Sequence, residues 1–425
     1  MTHWNRLLAC AASVAWGLTA LAADIPTPTL APPNLPPTEL ARRLIEQDAG
    51  VVEARRSLGA ATYGAAALRA SPYEWTTRVS AQQRRIDGGG NSNEWNAALE
   101  RSIRIGGKAA IDHQLADTEL LIAQARVGEA RRDAARMLAD LWVDALATRR
   151  QRELWAEQLG FAEASLKAVQ TRRRAGDASG LDANVARADF IEVQRQLSAA
   201  TTAEARAGAK LELRFPALNA DRKPIGDPTP LGDPPPLDLD QPQWRARILA
   251  QSEPIRIAEG LRKKAELSAA RARADRIPDP TVGVYTASEA FRNERIVGLS
   301  LSIPLSGSYR ESRMQQALQE AEAAGAQVER LRRELDAEIA DAYIEATGAA
   351  QRWRLASQGL STTRDSARLT QRAYTLGEAD LQTLLLARRQ ALDATTAAEQ
   401  ARVEALRWHH RLLIDAHLIW GLADE

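Results

Sequence analysis

Two long proline-free segments constrain the fold of this chain more than any other feature. They run from Gly107 to Arg173 and from Ser308 to Tyr374, each with 67 residues rich in Ala, Arg, Glu and Gln. In the second segment, small or apolar residues recur at steps of three and four, as one face of an α-helix requires. At about 1.5 Å per residue, each helix would be roughly 100 Å long. Globular helices usually have about 8–20 residues, so these helices must span something larger than an ordinary core.

The N-terminal residues 1–23 are predicted to be a secretory signal peptide. Arg6 gives the positive start, an apolar stretch follows, and Ala20-Leu21-Ala22 fits the small-residue cleavage pattern. Cys10 is the single cysteine, so the exported chain is expected to contain no disulfide and no reactive thiol. Residues 24–38 are predicted to be a proline-rich arm on the surface. We therefore expect an exported protein.

The rest of the chain is predicted to contain the same unit twice. The first repeat, residues 39–216, would consist of a helix to about Ala70, strands within about 73–105, the long helix at about 107–173, a tip at 174–182 and a return helix at 182–213. A proline-rich linker is predicted at 217–242. The second repeat, residues 243–425, would consist of a helix to about Arg276, strands within about 281–305, the long helix at about 308–374, a tip at 374–381 and a return helix at 382–417. Leu181 and Leu381 are equivalent at an offset of 200, which indicates a duplication.

Alternating apolar and polar residues predict two β-hairpins, one in each repeat. Val297, Leu299 and Leu301, for example, alternate with glycine and serine residues. In lipid, the unpaired edges of four strands would cost several kcal/mol per polar group, so several chains would have to share one closed barrel. Three chains would give 12 strands. A soluble sheet packed on the helices is the alternative. The candidate membrane-interface aromatic residues are Tyr73, Trp75, Trp95 and Tyr285.

The helical segments lack the broad Leu and Phe stripe of a solid core. They are rich in Ala with charges scattered around them. This composition favours helices packed side by side in a thin wall that is wetted on both sides. A coiled-coil rod is the alternative.

No catalytic, cofactor or metal site is predicted. Gly106-Gly107-Lys108 lacks the first glycine and the Ser or Thr that a phosphate-binding loop requires. His409, His410 and His417 cluster near the C-terminus, but three or four ligands in a metal-binding pattern are not visible. A formal net charge of +1 gives no basic surface, so we expect no nucleic-acid partner.

The two predicted reversals would lie at the same end of both long helices and would ring the mouth of a tube. Arginine residues 172–174 and acidic residues such as Asp177 give these reversals mixed charge. Ordinary polar turns between helices are the alternative.

Over essentially all of the exported chain, this arrangement resembles the TolC-type outer-membrane factor family. The resemblance rests on the doubled order of elements and on three stretches: RIPDPTVGV at 276–284, VGLSLSIPL at 297–305 and YTLG at 374–377. These stretches are most similar to the CzcC-like branch, which serves heavy-metal efflux pumps. The resemblance implies a mainly α-helical homotrimer with a 12-stranded barrel in the lipid of the Gram-negative outer membrane and a helical tunnel through the periplasm.

The resemblance also implies the function and the partners. The chain would be a passive export duct, without enzyme activity or cofactor, in a tripartite efflux pump. Its partners would be a periplasmic adaptor protein and an inner-membrane transporter of the resistance-nodulation-division type, and its substrates divalent heavy-metal cations. A duct for drugs or other small molecules, a duct for secreted proteins, and a periplasmic coiled-coil scaffold without a pore are the alternatives.

By the same resemblance, the tips would form the gate and the adaptor-docking surface. Asp182 and Tyr374 match the aspartate and tyrosine that help to close the tunnel in the family. The family's gating arginine is replaced by Ala379, its acidic ring falls on Thr383 and Leu386, and one of the arginines at 172–174 is the candidate substitute. The expected tip residues are Arg173, Arg174, Gly176, Leu181, Asp182, Tyr374, Gly377, Asp380 and Leu381.

Overall fold

The computed structural model of the protein describes residues 34–220, 231–305 and 307–422. The predicted signal peptide and most of the predicted proline-rich arm lie outside these ranges, as does part of the predicted linker.

The first repeat contains five helices and two strands within the described residues. They are α1 (Thr38–Glu46), α2 (Ala49–Ala70), β1 (Thr76–Ile86), β2 (Gly90–Ser102), α3 (Lys108–Arg174), α4 (Gly180–Arg214) and the short α5 (Ala217–Ala220). The second repeat contains α6 (Gln241–Gln251), α7 (Glu253–Ala274), β3 (Thr281–Glu289), a 3-10 turn (Ala290–Arg292), β4 (Glu294–Ser302), α8 (Ser308–Leu376) and α9 (Leu381–Asp415). The two long helices, α3 and α8, contain 67 and 69 residues.

The helix before each hairpin is divided in two, where the sequence predicted one continuous helix. Asp48 ends the first break with an extended backbone, and its carboxylate accepts a hydrogen bond from Gly50 N at 2.8 Å. Ser252 caps the helix after the second break, and Pro254 stands in the first turn of that helix. At the second break, Pro254 lacks the N–H that a continuous helix would need, so a capped restart is the favourable solution.

The shorter helices pack along the two long helices. α2 and α4 lie along successive parts of α3, and α7 and α9 lie along successive parts of α8. Arg152 on α3 pairs with Glu204 on α4 at 2.6 Å, and Arg352 on α8 pairs with Glu404 on α9 at 2.8 Å. These two ion pairs are equivalent at an offset of 200 residues, so the duplication includes contacts between helices.

Large buried side chains are concentrated near the middle of the long helices. Trp420, Phe215 and Leu138 belong to one apolar cluster, and Trp244 and Ile339 belong to a second cluster. Many buried positions elsewhere on α3, α4 and α8 are alanine. The helices therefore pack closely, as a wall one helix thick requires.

The four strands form one antiparallel sheet in the order β1-β2-β3-β4. β2 and β3 pair across the two repeats, from Trp95 opposite Ser288 to Ser102 opposite Thr281. β1 and β4 are the edges of this sheet. The register places Val79, Ala97 and other apolar partners on one face, which confirms the predicted alternation.

Candidate functional site

At each tip, a glycine with a left-handed backbone conformation ends the long helix. Gly176, after α3, has φ of 85°, and Gly377, after α8, has φ of 79°. After each glycine the next residue donates to the carbonyl five positions earlier: Asp177 N to Arg172 O at 2.8 Å, and Glu378 N to Ala373 O at 2.9 Å. These are the hydrogen bonds by which glycine ends a helix, and they fix where both long helices reverse.

Arg172 joins the two tips within one chain. Its Nη1 donates to the Tyr374 hydroxyl at 3.2 Å, and its guanidinium lies 5.9 Å from the centroid of the Tyr374 ring. Its Nε donates to Asp177 Oδ2 at 2.9 Å. The hydrogen bond to Asp177, and to a smaller extent the hydrogen bond to Tyr374, raises the pKa of Arg172. The guanidinium therefore remains a charged donor that holds the end of α3 against the end of α8.

An apolar cluster lies beside this contact. Val169, Ala183, Ala186 and Leu381 are buried, and Tyr374 packs against them. Leu381 is buried in the cluster, whereas its equivalent, Leu181, is 64% exposed. The two tips thus have different roles: the second tip is held against the first through Leu381, and Leu181 is left on the surface.

Asp182 and Tyr374, the two residues expected at the gate, have separate partners in the structure. Asp182 Oδ2 accepts from Ser179 N at 3.0 Å and from Ser179 Oγ at 2.8 Å, while Ser179 Oγ accepts from Asp182 N. This capping box starts α4 and engages the aspartate locally. Among the described residues, Tyr374 is joined to the first tip by Arg172.

The remaining expected tip residues lie on the surface or cap a helix. Arg173 and Arg174 are exposed, and Arg174 bonds within α3 to Gln170 O and Thr171 Oγ1. Asp380 caps α9 by accepting from Thr383 N at 2.7 Å. Hydrogen bonds from the Thr383 side chain and backbone lower the pKa of Asp380, so its carboxylate stays ionised.

One face of the sheet is an open apolar surface. Val297 and Leu299 are each 84% exposed on this face, and Leu301 is 66% exposed. Trp95, on the same face, and Trp75, the residue before β1, are also exposed. Trp95 is paired with a residue six positions after Trp75, so the two rings are separated by roughly 20 Å along the strands.

Tyr285 and Tyr73 do not lie with these tryptophans, contrary to the sequence expectation. Tyr285 is opposite Gly298 on the polar face, and a Cβ atom at Gly298 would come within 2.5 Å of its ring. Tyr73 is half-buried between helix and sheet, where its hydroxyl donates to Asp279 Oδ2 at 2.8 Å. Tyr285 therefore packs on a glycine, and Tyr73 is part of a polar network.

This network, which we call the junction cluster, joins the sheet to the helices. Lys108 is 1% exposed, and its Nζ donates to Ile277 O at 2.7 Å and to Asp279 Oδ1 at 2.8 Å. Asp279 Oδ1 also accepts from Ile105 N at 3.0 Å. Burial opposes ionisation of Asp279, but the hydrogen bonds from Lys108, Ile105 N and Tyr73 together lower its pKa. Three of the four chain segments that pass between helices and strands thus meet at one carboxylate.

These features agree with a comparison to known protein families. Residues 244–412 match the family model described as outer membrane efflux protein. This part of the chain is similar to outer membrane efflux proteins. The match covers β3, β4, α8 and nearly all of α9, which include the apolar strand face and the second tip. No curated protein is significantly similar in sequence.

Solved structures extend the likeness to the whole fold. The outer-membrane protein VceC from Vibrio cholerae has a TM-score of 0.72 at 17% identity, over 89% of this chain and 95% of VceC. The outer-membrane channel CmeC from Campylobacter jejuni has a TM-score of 0.74 at 13% identity, over 100% and 96%. The open state of the outer-membrane channel MtrE from Neisseria gonorrhoeae has a TM-score of 0.69 at 17% identity, over 91% and 89%. The chain therefore has the TolC-like fold.

Two further properties of the described residues concern membrane-spanning helices and metal sites. In the part of the chain that the structure describes, no helix has an apolar stretch of the length that a bilayer requires. In residues 34–220, 231–305 and 307–422, no group of three or more His, Cys, Asp or Glu side chains could hold a metal ion. His410 is buried. Burial is the larger cause that lowers its pKa to about 3, and the neighbouring His409 is the smaller, so the His410 imidazole is neutral in ordinary buffers.

Sequence reasoning missed the junction cluster and the specific role of Arg172. Lys108 and Asp279 are 171 positions apart, so no local pattern connects them. A local signal was available for Asp182, because Ser at 179 and Asp at 182 have the spacing of a capping box. A signal was also available for Tyr285, which alternates with Val282 and Val284 and so belongs to the opposite face.

Proposed function

We propose that this chain is the outer-membrane channel of a tripartite efflux pump, a passive duct that three copies form together. The observation that carries this proposal is the apolar face of the sheet. Val297 and Leu299 are almost fully exposed on a strand whose other face is polar. Lipid is the environment that removes such a face from water without covering the polar face.

The two open edges of the sheet support assembly from several copies. β1 and β4 each leave one edge unpaired, and unpaired N–H and C=O groups cost several kcal/mol each in hydrocarbon. Pairing β4 of one copy with β1 of the next closes the ring without a free edge. Three copies give 12 strands, and α3 and α8, about 100 Å long, would form the wall of a tunnel below them.

The contact between Arg172 and Tyr374 is the proposed gate. It joins the first hairpin of helices, α3 and α4, to the second, α8 and α9, at the end away from the sheet. Separating these hairpins widens the tip and breaks the contact. Arg172 thereby takes the place of the arginine that the family pattern puts where Ala379 stands here.

Replacing both residues, Arg172→Ala with Tyr374→Phe, should raise the resting conductance of the purified channel in planar bilayers severalfold. The change removes the hydrogen bond between Arg172 and Tyr374 and the guanidinium that lies over the tyrosine ring. It leaves the capping box at Ser179 and Asp182 intact. Arg174→Ala is the matched control, because Arg174 bonds only within its own helix among the described contacts. Equal conductance of the double variant and the control would refute the gate.

The tip residues would also bind a periplasmic adaptor protein. Leu181, Arg173 and Arg174 remain on the surface after the tip has closed, so they are available for a partner. An inner-membrane transporter of the resistance-nodulation-division type would supply the energy.

Divalent heavy-metal cations are the proposed substrate class. The support is the likeness of 276–284, 297–305 and 374–377 to the CzcC-like branch. We expect a deletion strain to become sensitive to one or more of Zn²⁺, Co²⁺, Cd²⁺, Ni²⁺ and Cu²⁺, with unchanged growth on dyes and antibiotics. Sensitivity to dyes and antibiotics alone would leave the duct in place and reject metals as its substrate.

A further inference from the structure

The turn between β3 and β4 has an unusual backbone. Ala290, Phe291 and Arg292 have φ values of 47°, 61° and 71°, although none of them is glycine. Left-handed backbone is unfavourable at a non-glycine residue, because Cβ comes too close to the neighbouring carbonyl oxygen. Three such residues in succession persist only where the surroundings hold them.

The turn is held over the polar face of the sheet. Phe291 N donates to Ser92 Oγ at 2.9 Å. Ser92 is opposite Arg84 in the register, on the face that also carries Glu94. Ser92 and Glu94 are 1% and 3% exposed. The 3-10 turn contacts β2, so the turn is what covers this part of the face.

A charged network fixes the same corner of the sheet. Glu94 Oε2 accepts from Gln82 Nε2 at 2.9 Å and pairs with Arg84 at 3.1 Å. Arg84 also pairs with Glu289, the last residue of β3, at 3.6 Å. The strand that enters the turn is thereby tied to β1 and β2 on the polar side. Phe291 itself remains 49% exposed, beyond these contacts.

We propose that the three copies of this turn form a constriction at the outer mouth of the channel, with Phe291 and Arg292 at its narrowest point. The inference rests on the proposed trimeric channel, in which the polar face lines the pore and the turn is at the end away from the helices. Twelve strands spaced about 4.8 Å apart and tilted by about 40° enclose a ring roughly 24 Å across. Three turns folded inward, each carrying an aromatic and an arginine side chain, occupy much of such an opening. The turn therefore limits the cross-section of what leaves.

Cysteine cross-linking tests this arrangement in outer membranes. In a Cys10→Ser background, Phe291→Cys introduces one thiol per chain, and a short bis-maleimide such as bismaleimidoethane is then added. We expect covalent dimers and trimers, because the three thiols face each other near the axis. Gly89→Cys, in the exposed β1–β2 turn, is the matched control. Points on the wall of the ring are roughly 20 Å apart, so the control should cross-link severalfold less with the short reagent.

The outcomes separate the constriction from the proposed function. Native mass spectrometry of the same samples counts the copies per channel. Trimers in which Phe291→Cys cross-links no better than Gly89→Cys would overturn the constriction and leave the channel intact. A chain that forms no trimer would overturn the channel, and the constriction with it.

A second variant tests how the turn is held. Ser92→Ala removes the acceptor of the Phe291 N–H, so the strained turn should leave the polar face. In the Phe291→Cys background, Ser92→Ala should lower the yield of short cross-links severalfold. An unchanged yield would contradict the role of Ser92 in positioning the turn.

Discussion

Lys108→Met should lower the free energy of unfolding by about 3 kcal/mol or more, the largest effect expected of a single change outside the sheet. Breaking a buried ion pair by removing one partner typically costs about 3–5 kcal/mol, because the remaining charge is left without compensation. Lys108 is 1% exposed and pairs with Asp279 at 2.8 Å and with Asp275 at 3.3 Å. Denaturant unfolding of the purified protein in detergent, followed by tryptophan fluorescence, measures the change.

Lys264→Met is the matched control for this prediction. Lys264 pairs with Glu119 at 2.9 Å, but the two side chains are 43% and 30% exposed. Ion pairs exposed to this extent contribute about 0–1 kcal/mol, so the same chemical change should have a small effect here. Equal losses in the two variants would show that the junction cluster does not hold the sheet on the helices.

The pH dependence of the same cluster has a defined sign. The pKa of Asp279 is lower in the folded protein than in the unfolded chain. Its ionised form therefore stabilises the fold above the unfolded value of about 3.9, and this contribution is lost as the pH falls through the folded value. The difference in stability between the wild type and Asp279→Asn should be constant from neutral pH to about 5 and should decrease only in stronger acid.

Leu299→Arg should sharply reduce the amount of protein in the outer membrane. An arginine on the lipid-facing side of a membrane strand costs about 2–4 kcal/mol near the midplane, and three copies would carry it at once. Leu299 lies near the middle of β4 and is 84% exposed on the apolar face. Quantitative immunoblotting of outer-membrane fractions gives the result.

The neighbouring position supplies the control. Ser300 is on the polar face, opposite Gly283, and Ser300→Arg would place the same charge on the side that faces water. We expect the amount of Ser300→Arg in the membrane to be close to that of the wild type. If both variants accumulate equally, the apolar face is not in contact with lipid.

The repeating parts of the fold could be predicted because their signals are periodic. A period of two placed Val297, Leu299 and Leu301 on one face, and the register of the sheet agrees. Proline-free segments of 67 residues identified both long helices, and steps of three and four between apolar residues supported the second. The repeat offset was visible in the sequence, and the equivalent ion pairs at Arg152 and Arg352 show that it extends to tertiary contacts.

The parts that could not be predicted depend on contacts between distant segments. The partners of Lys108 come from the segment between α7 and β3, so their meeting required the strand order to be known. Tyr374 and Asp182 were both expected at the gate, but the sequence did not show which side chains they contact. Ser179 competes for that carboxylate at shorter range, and Arg172 has the reach to contact the ring. Local hydrogen bonds decided which partner each of the two residues has.

The open edges of β1 and β4 have a consequence for the exchange of subunits between channels in a cell. A single copy in the membrane would expose both edges to hydrocarbon, at several kcal/mol for each unpaired group, so a lone subunit has no stable inserted state. Subunits could then not leave one channel and join another after insertion. The subunit composition of each channel would be determined in the periplasm, before insertion. A defective subunit made alongside the wild type would therefore impair the channels that assemble at that time, and channels already in the membrane would be unaffected.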